Sequence, residues 1–338
     1  MKAAPFVSPN FLDRVAEPDS PFHLDYLAYR KGEITRAQLI RRLPHVAMLG
    51  DSVCMGIYIS SPWKTLWHAR TCRGKNWFLH LDDAPGICSV SKWLETFTPF
   101  VAIECAGIGA LVDHEHGRQN FFRRVLGTRN FSEQVGELVR ARRFPDLTLI
   151  SIGHNNVDWA WGCPPHELDK PEQRLQRLSK EFRQNYVRDL RRLLEGAHIR
   201  QHRVAIVIYG LINFESYFKG REAAEHLRES DTTLYPHLET TYKYFVSFRP
   251  GYRRNLIRLA SMVNEELREM VETLNREFVQ RDKHIQLRYS EALATADLSR
   301  SELLHPIDGW HASVEGHNIL GEAAFNGLRA SLDFLEVR

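Results

Sequence analysis

The chain has 338 residues, of which 43% are hydrophobic and 26% are charged. This composition is ordinary for a globular protein, and the length is sufficient to bury a substantial core. The formal net charge of +3 is small, and basic residues are interleaved with acidic ones. We therefore expect no nucleic-acid partner.

The five cysteines are scattered and never form a Cys-x-x-Cys pair, so neither a zinc site nor a disulfide framework is predicted. No stretch approaches the ~18 apolar residues that a membrane-spanning helix needs. The first residues also lack the apolar core of a secretory signal peptide. We expect no integral membrane segment and a cytoplasmic location, unless a signal peptide has been removed. The sequence leaves the oligomeric state open.

Residues 1–44 are predicted to form an N-terminal extension, an irregular lead followed by a short amphipathic helix with Thr35 as its N-cap. The remainder, residues 45–335, is predicted to be one domain, because no linker, repeat or low-complexity tract interrupts it. Long insertions are expected at 53–88, which shows no clean period, and at 210–251, which is predicted to be irregular; both are rich in aromatic residues.

Short apolar runs alternate with helical patterns along the whole domain. Such alternation predicts a parallel sheet with helices on both faces, joined by right-handed crossovers. The expected strands are at about 45–50, 101–105, 147–152, 204–209 and 284–289. The expected helices are at about 89–97, 131–142, 171–196, 252–281 and 315–332.

Polar residues follow the predicted strands, and Ser52 comes directly after the first of them, in a Gly-Asp-Ser sequence. The carboxyl ends of parallel strands meet at one edge of a sheet, where ligands bind. A serine hydroxyl is a weak nucleophile and needs an adjacent base. His311 is the candidate base, and Asp308, three residues earlier, is the candidate acid that orients it.

Acyl transfer also needs hydrogen-bond donors aimed at the developing oxyanion. The glycine-rich turn at 107–109 can present a backbone N–H with no side chain in the way. Asn155, after the third predicted strand, can add a side-chain N–H. The backbone N–H of Ser52 would be a third donor.

Other patterns are weaker. Asp113, His114, Glu115 and His116 form a ligand-rich run, but alternating side chains rarely close on one metal, so a solvated loop is favoured. The sequence contains no Gly-x-Ser-x-Gly motif, no P-loop and no dinucleotide-binding motif. We therefore expect neither a metal nor a cofactor.

The blocks described above resemble those of the SGNH (GDSL-type) hydrolases, in the same order. GDS at 50–52 is similar to the nucleophile block, ECAGIGALVDH at 104–114 to the glycine block, and SIGHNN at 151–156 to the Gly-x-Asn-Asp block. DGWHASVEGHNILGEAAF at 308–325 is similar to the closing block, most of all in the phospholipase-B-like branch. The resemblance runs from about 45 to 330. It implies a flavodoxin-like, three-layer α/β/α sandwich with a parallel sheet of about five strands.

The resemblance also implies roles for particular residues. Ser52 would be the nucleophile, and Asp308 and His311 would complete the triad. Ser52, Gly109 and Asn155 would donate to the oxyanion. Three more residues are expected to support the site, namely Asp51, Gly107 and Asn156.

Two departures from the family pattern bear on these roles. Glu104 stands where an Asn is usual, and the glycine block has two glycines, so Gly107 rather than Gly109 could be the donor. Asn156 replaces the usual Asp and removes a charge from the site. We expect a rearranged hydrogen-bond network, with activity retained.

The expected function is that of a serine esterase, which hydrolyses a small-molecule or lipid-like carboxylic ester through an acyl-enzyme. An acyltransferase with the same triad and an alcohol acceptor is one alternative, and a catalytically silent binding module is another. The aromatic insertions suggest a sizeable, partly apolar acyl or aryl group. Three tryptophans are equally candidates for the pocket wall or for the core, namely Trp63, Trp67 and Trp77.

Overall fold

A computed structural model shows the fold of this chain. It describes residues 5–8, 10–56, 59, 75–80, 86–112, 129–157, 171–200, 202–236, 238, 252–307 and 309–337. Several residues singled out in the sequence lie outside the described residues, namely Trp63, Trp67, Asp113, His114, Glu115, His116 and Asp308.

The centre of the fold is a six-stranded sheet with the strand order β1-β3-β2-β4-β5-β6. The strands are β1 Pro5–Val7, β2 His45–Gly50, β3 Val101–Glu104, β4 Leu147–Ser151, β5 Val204–Tyr209 and β6 Ile285–Ser290. All neighbouring pairs are parallel except β1 and β3. The predicted parallel sheet is confirmed, with one strand more than expected.

The central strands β2, β4 and β5 are buried along their whole length. Strands covered on both faces carry continuous apolar runs, because neither face meets water. The helices at 131–139, 171–198 and 252–277 pack together on one side of the sheet. The helices at 90–95 and 314–326 pack together on the other. The result is the expected three-layer α/β/α sandwich.

A helix begins near each predicted position, and the described residues contain further helices that were not predicted. The described helices are α1 Phe11–Ala16, α2 His23–Arg30, α3 Arg36–Arg42, α4 Val90–Glu95, α5 Phe131–Val139, α6 His154–Val157, α7 Pro171–His198, α8 Phe214–Ser230, α9 Tyr252–Glu277, α10 Ala292–Thr295, α11 Val314–Asn326 and α12 Arg329–Leu335. Thr35 caps α3 as predicted, since its hydroxyl accepts from the Gln38 backbone N–H in a capping box. Among the described helices, none combines the length and apolar character needed to cross a bilayer.

Three parts of the fold differ from the prediction. The lead, expected to be irregular, contains the strand β1 and the helices α1 and α2. β1 has only three residues, which are too few for a strand pattern to appear in the sequence. The insertion at 210–251 contains the 17-residue helix α8, whose N-cap Asn213 accepts from the Ser216 backbone N–H. The last predicted helix is divided into α11 and α12, since α11 ends at Gly327, a residue of low helix propensity.

The register of the sheet determines where the polar loops lie. Gly50 at the end of β2 pairs with Ser151 at the end of β4. Met48 in β2 pairs with Glu104, the last residue of β3. The loops after these three strands therefore leave the sheet at the same edge, as predicted for parallel strands.

Candidate active site

The turn that carries Ser52 is held tightly against the sheet. Ser52–Cys54 forms a single turn of 3-10 helix directly after β2. A Cβ at Gly50 would lie 2.4 Å from the Cys54 sulfur and 2.7 Å from the Ser151 carbonyl oxygen, so only glycine fits there. The buried Gln134 side chain accepts from the Gly50 N–H at 2.8 Å and donates to the Gly50 carbonyl at 2.9 Å. These contacts fix the direction in which the chain leaves the strand.

The carboxylate of Asp51 joins this turn to the loop after β4. Its Oδ1 accepts from the Val53 N–H at 3.1 Å, which caps the 3-10 turn. Its Oδ2 accepts from the Gly153 and His154 backbone N–H groups, both at 3.2 Å. The same oxygen lies 2.9 Å from Nδ1 of His154. Asp51 is fully buried, so each of these donors depends on it.

The hydrogen bonds of His154 determine which of its nitrogens carries the proton. The Ile212 backbone N–H, in the loop after β5, donates to His154 Nε2 at 3.2 Å. A nitrogen that accepts such a bond carries no proton, so the hydrogen lies on Nδ1 and is donated to Asp51. His154 is therefore a neutral, buried link between the loops after β2, β4 and β5.

The glycine-rich turn after β3 distinguishes the two candidate backbone donors. The Gly107 N–H donates to the Gly50 carbonyl at 3.1 Å. Gly109 has φ +67°, in the region that favours glycine, and within the described residues its N–H has no acceptor. Asn155 Nδ2 donates one hydrogen to the Ala110 carbonyl at 3.0 Å, and its second N–H remains. Gly109 is therefore better suited than Gly107 to bind an oxyanion.

The two residues that depart from the family pattern both make hydrogen bonds. The buried Glu104 carboxylate accepts from Asn76 Nδ2 at 2.6 Å and so holds the turn at 75–80. The Asn156 side-chain carbonyl accepts from the Val112 N–H at 3.1 Å. Glu104 and Asn156 thus attach neighbouring loops to the edge of the sheet.

The segment that carries His311 is a tight loop braced by a buried arginine. The His305 N–H donates to the His311 carbonyl at 2.7 Å, which closes the loop. The carbonyl of Gly309 accepts from Arg221 Nη1 at 2.8 Å and from the Tyr217 hydroxyl at 3.2 Å. Arg221, on α8, has no exposed surface. Its rigid guanidinium therefore positions the loop before α11.

Ser52, Asn155 and His311 line one cavity of about 30 Å³ at this edge of the sheet. No hydrogen bond joins Ser52 Oγ to His311 in the described part of the chain, and catalytic contacts of this kind are often long until substrate binds. The remaining lining residues are Val53, Met55, His154, Ile212, Phe214, Tyr217, Leu298, Leu303, Leu304, Trp310, Ala312, His317 and Leu320.

A third histidine of the cavity, His317, is also neutral. Its Nδ1 accepts from the Trp77 backbone N–H at 3.2 Å. Burial lowers the pKa of His317 to about 3, and the nearby charges of His311 and His305 act in the same direction. A ring with this pKa is not protonated near neutral pH and is a poor proton acceptor.

The structure brings together the residues that the strand-end pattern predicted. Ser52, Asn155 and His311 share the cavity, and Gly109 lies in the loop beside it. Trp77 is fully buried and lies edge-on to Tyr209, with ring centroids 5.8 Å apart, so it belongs to the core.

Sequence reasoning missed three residues that shape the site: His154, His317 and Arg221. The two histidines stand inside blocks that resemble the family, so those blocks offered a signal. Arg221 lies in an insertion that was expected to be irregular, and no motif marks it. Its role depends on a carbonyl 88 residues away in the chain.

Replacing Asp51 with alanine is expected to lower the free energy of unfolding by roughly 3 kcal/mol or more, because several buried donors lose their acceptor. Urea denaturation of the wild type and variant measures the difference. Asp333, an exposed acid on α12, is a control whose alanine variant should change stability by less than ~0.5 kcal/mol. An Asp51 variant within ~1 kcal/mol of the wild type would show that the carboxylate does not organise these loops.

Comparison with known proteins identifies a family that matches most of this chain. The GDSL-like Lipase/Acylhydrolase family matches residues 46–324. No curated protein sequence matches the chain. Among solved structures, the lipase Lip_vut3 from a goat rumen metagenome is 16% identical, with 85% of this chain and 97% of that chain covered and a TM-score of 0.41.

Two other solved structures are similar over most of their length. Phospholipase A1 from Streptomyces albidoflavus is 11% identical, with 84% of this chain and 98% of that chain covered and a TM-score of 0.46. A carbohydrate esterase of family 3 from Talaromyces cellulolyticus is 13% identical, with 88% and 100% covered and a TM-score of 0.37. The family match covers most of the chain, and the protein therefore belongs to the GDSL-like lipase/acylhydrolase family of ester hydrolases.

Proposed function

We propose that this protein hydrolyses carboxylic esters through an acyl-enzyme on Ser52. The observation that carries the proposal is the shared cavity of Ser52, Asn155 and His311, which come from distant parts of the chain. A nucleophile, an amide donor and an imidazole at one strand-end edge are what acyl transfer needs.

Three of the described histidines line the cavity, and the hydrogen bonds of the other two favour His311 as the base. His154 accepts a backbone N–H on one nitrogen and contacts Asp51 with the other. His317 accepts a backbone N–H on Nδ1, and its lowered pKa opposes protonation. Neither ring is suited to take a proton from Ser52, so the role falls to His311. We propose that Asp308, three residues before His311, orients it.

The oxyanion would be bound by three N–H groups. The Ser52 N–H begins the 3-10 turn, so it has no partner inside that turn. The Gly109 N–H and the second N–H of Asn155 are the other donors we propose. Removing one such donor typically lowers the rate by ~10²–10³-fold.

The reaction then follows in two steps. Ser52 Oγ attacks the ester carbonyl carbon while His311 takes the hydroxyl proton, and the carbonyl oxygen becomes an oxyanion. When the carbon–oxygen bond to the alcohol breaks, His311 gives its proton to the departing alcohol. Water then attacks the acyl carbon while His311 takes one of its protons. The bond between the acyl carbon and Ser52 Oγ breaks, His311 returns the proton to Oγ, and the acid is released.

Product analysis tests whether water is the acceptor. The purified protein is given a p-nitrophenyl ester together with a short alcohol at high concentration, and the acid and the new ester are quantified. We expect the free acid to match the p-nitrophenol released. Predominant transfer to the alcohol would indicate an acyltransferase instead, and no turnover of any short ester would favour a binding module.

A further inference from the structure

One polar group in the cavity has no role in the mechanism above. His317, on α11, is almost fully buried and lines the cavity together with Ser52 and His311. Its Nδ1 accepts the Trp77 backbone N–H, so the ring hydrogen lies on Nε2. Nε2 is buried and has no hydrogen-bond partner in the described part of the structure. The ring therefore brings an unsatisfied donor to the cavity wall.

An unsatisfied buried donor is costly, and native structures rarely keep one without a reason. Among the described residues, no side chain of the cavity supplies an acceptor to Nε2, and much of the lining is apolar. The apolar part includes Leu303, Leu304, Ala312 and Leu320. A molecule bound in the cavity can supply the missing acceptor.

The size of the cavity limits what that ligand can be. Its volume is about 30 Å³, which corresponds to the space for two or three water-sized groups. The bulky side chains of Trp310 and Phe214 contribute to its lining. A short acyl group next to Ser52 fits this space.

We propose that the cavity receives the acyl half of the ester, and that this acyl group is short and carries an oxygen that accepts the Nε2–H of His317. The inference rests on the proposed function of Ser52. The proposed short acyl group differs from the sizeable, partly apolar acyl or aryl group expected from the aromatic insertions. The proposal concerns the acyl half of the ester alone.

A matched pair of substrates tests the proposed acceptor. p-Nitrophenyl methoxyacetate and p-nitrophenyl butyrate have acyl groups of the same length, and they differ by an ether oxygen in place of one methylene. We expect the wild type to favour the methoxyacetate in kcat/KM by about tenfold beyond the ratio for hydroxide-catalysed hydrolysis, because only its oxygen satisfies the donor. If the wild-type kcat/KM ratio of methoxyacetate to butyrate, divided by the ratio for hydroxide-catalysed hydrolysis, is near one, the proposal is overturned before any variant is made.

Two variants at His317 separate the donor from the fold. In His317→Asn the side-chain oxygen can still accept the Trp77 N–H, but the shorter side chain places no donor at the position of Nε2. We expect this variant to lose the methoxyacetate preference. In His317→Gln an amide N–H stands near the position of Nε2, and we expect part of the preference to return. Equal ratios in wild type and His317→Asn would contradict the role of His317.

The chain length of the acyl group is tested with the same assay. We expect kcat/KM to fall by at least about tenfold from the butyrate to the decanoate, since the cavity excludes the longer chain. A preference for decanoate would overturn the short acyl pocket. Hydrolysis by Ser52→Ala at close to the wild-type rate would refute the proposed function itself, and this outcome is distinct from a Ser52-dependent enzyme without the expected preference.

Discussion

The Ser52→Ala variant is expected to lose kcat toward p-nitrophenyl esters by at least ~10⁴-fold, because the proposed acyl-enzyme forms on the hydroxyl that this change removes. The oxyanion donors would remain, since Gly109 and Asn155 are held by backbone geometry and by the Ala110 carbonyl rather than by Ser52. The residual rate should therefore exceed that of the uncatalysed reaction. Steady-state kinetics at saturating ester measures the change.

The fold of this variant should be intact. The 3-10 turn depends on the Asp51 carboxylate and on the glycine at position 50, not on the Ser52 side chain. Ser331→Ala is a matched control, because Ser331 is buried and hydrogen-bonded to Gln286 but does not line the cavity. We expect this control to keep kcat within about twofold of wild type. An active Ser52→Ala protein with normal unfolding behaviour would refute the assignment of the nucleophile.

The His311→Asn variant is expected to lose kcat by ~10⁴-fold or more, because the hydroxyl of Ser52 then has no base to take its proton. Steady-state kinetics with a p-nitrophenyl ester measures the change.

The same replacement at His154 and at His317, the other two histidines described in the cavity, tests whether the loss is specific to His311. His317→Asn should keep most of the activity toward the butyrate, since His317 is proposed to donate to the acyl group and not to accept a proton. His226, exposed on α8, is a control that should tolerate the same replacement. If His311→Asn stays active while His154→Asn is inactive yet folded, the base would have to be reassigned.

Much of the sheet edge that carries the candidate site could be predicted from the sequence, because the central parallel strands are buried on both faces and are therefore apolar throughout. The runs that form β2, β4 and β5 are apolar throughout, so each run and its end could be recognised. Since the ends of parallel strands meet at one edge, Ser52 and Asn155 could be placed together before any coordinates. The same argument placed His311 beside Ser52 and Asn155, since His311 lies in the loop before the last predicted helix.

The parts that could not be predicted depend on contacts between distant segments. β1 is only three residues long and exists because it pairs with β3. The proton positions on His154 and His317 are set by the backbone N–H groups of Ile212 and Trp77. No local pattern in the sequence predicts these hydrogen-bond partners.

The departures at Glu104 and Asn156 illustrate the same limit. The sequence predicted that the hydrogen bonds would be rearranged, but it could not say how. Glu104 reaches Asn76 in the insertion after Ser52, and Asn156 reaches Val112 in the glycine-rich loop. Both contacts attach loops that surround the cavity, and neither charge pattern nor periodicity encodes them.

The central claim is that Ser52 forms the covalent intermediate, and mass spectrometry of the labelled protein tests it most directly. Wild type and Ser52→Ala are treated with a p-nitrophenyl phosphonate that reacts irreversibly with activated serines, and the adduct is located by peptide mapping. We expect one adduct per wild-type chain, on Ser52, and none on the variant. Equal labelling of both proteins, or an adduct on another residue, would contradict the mechanism.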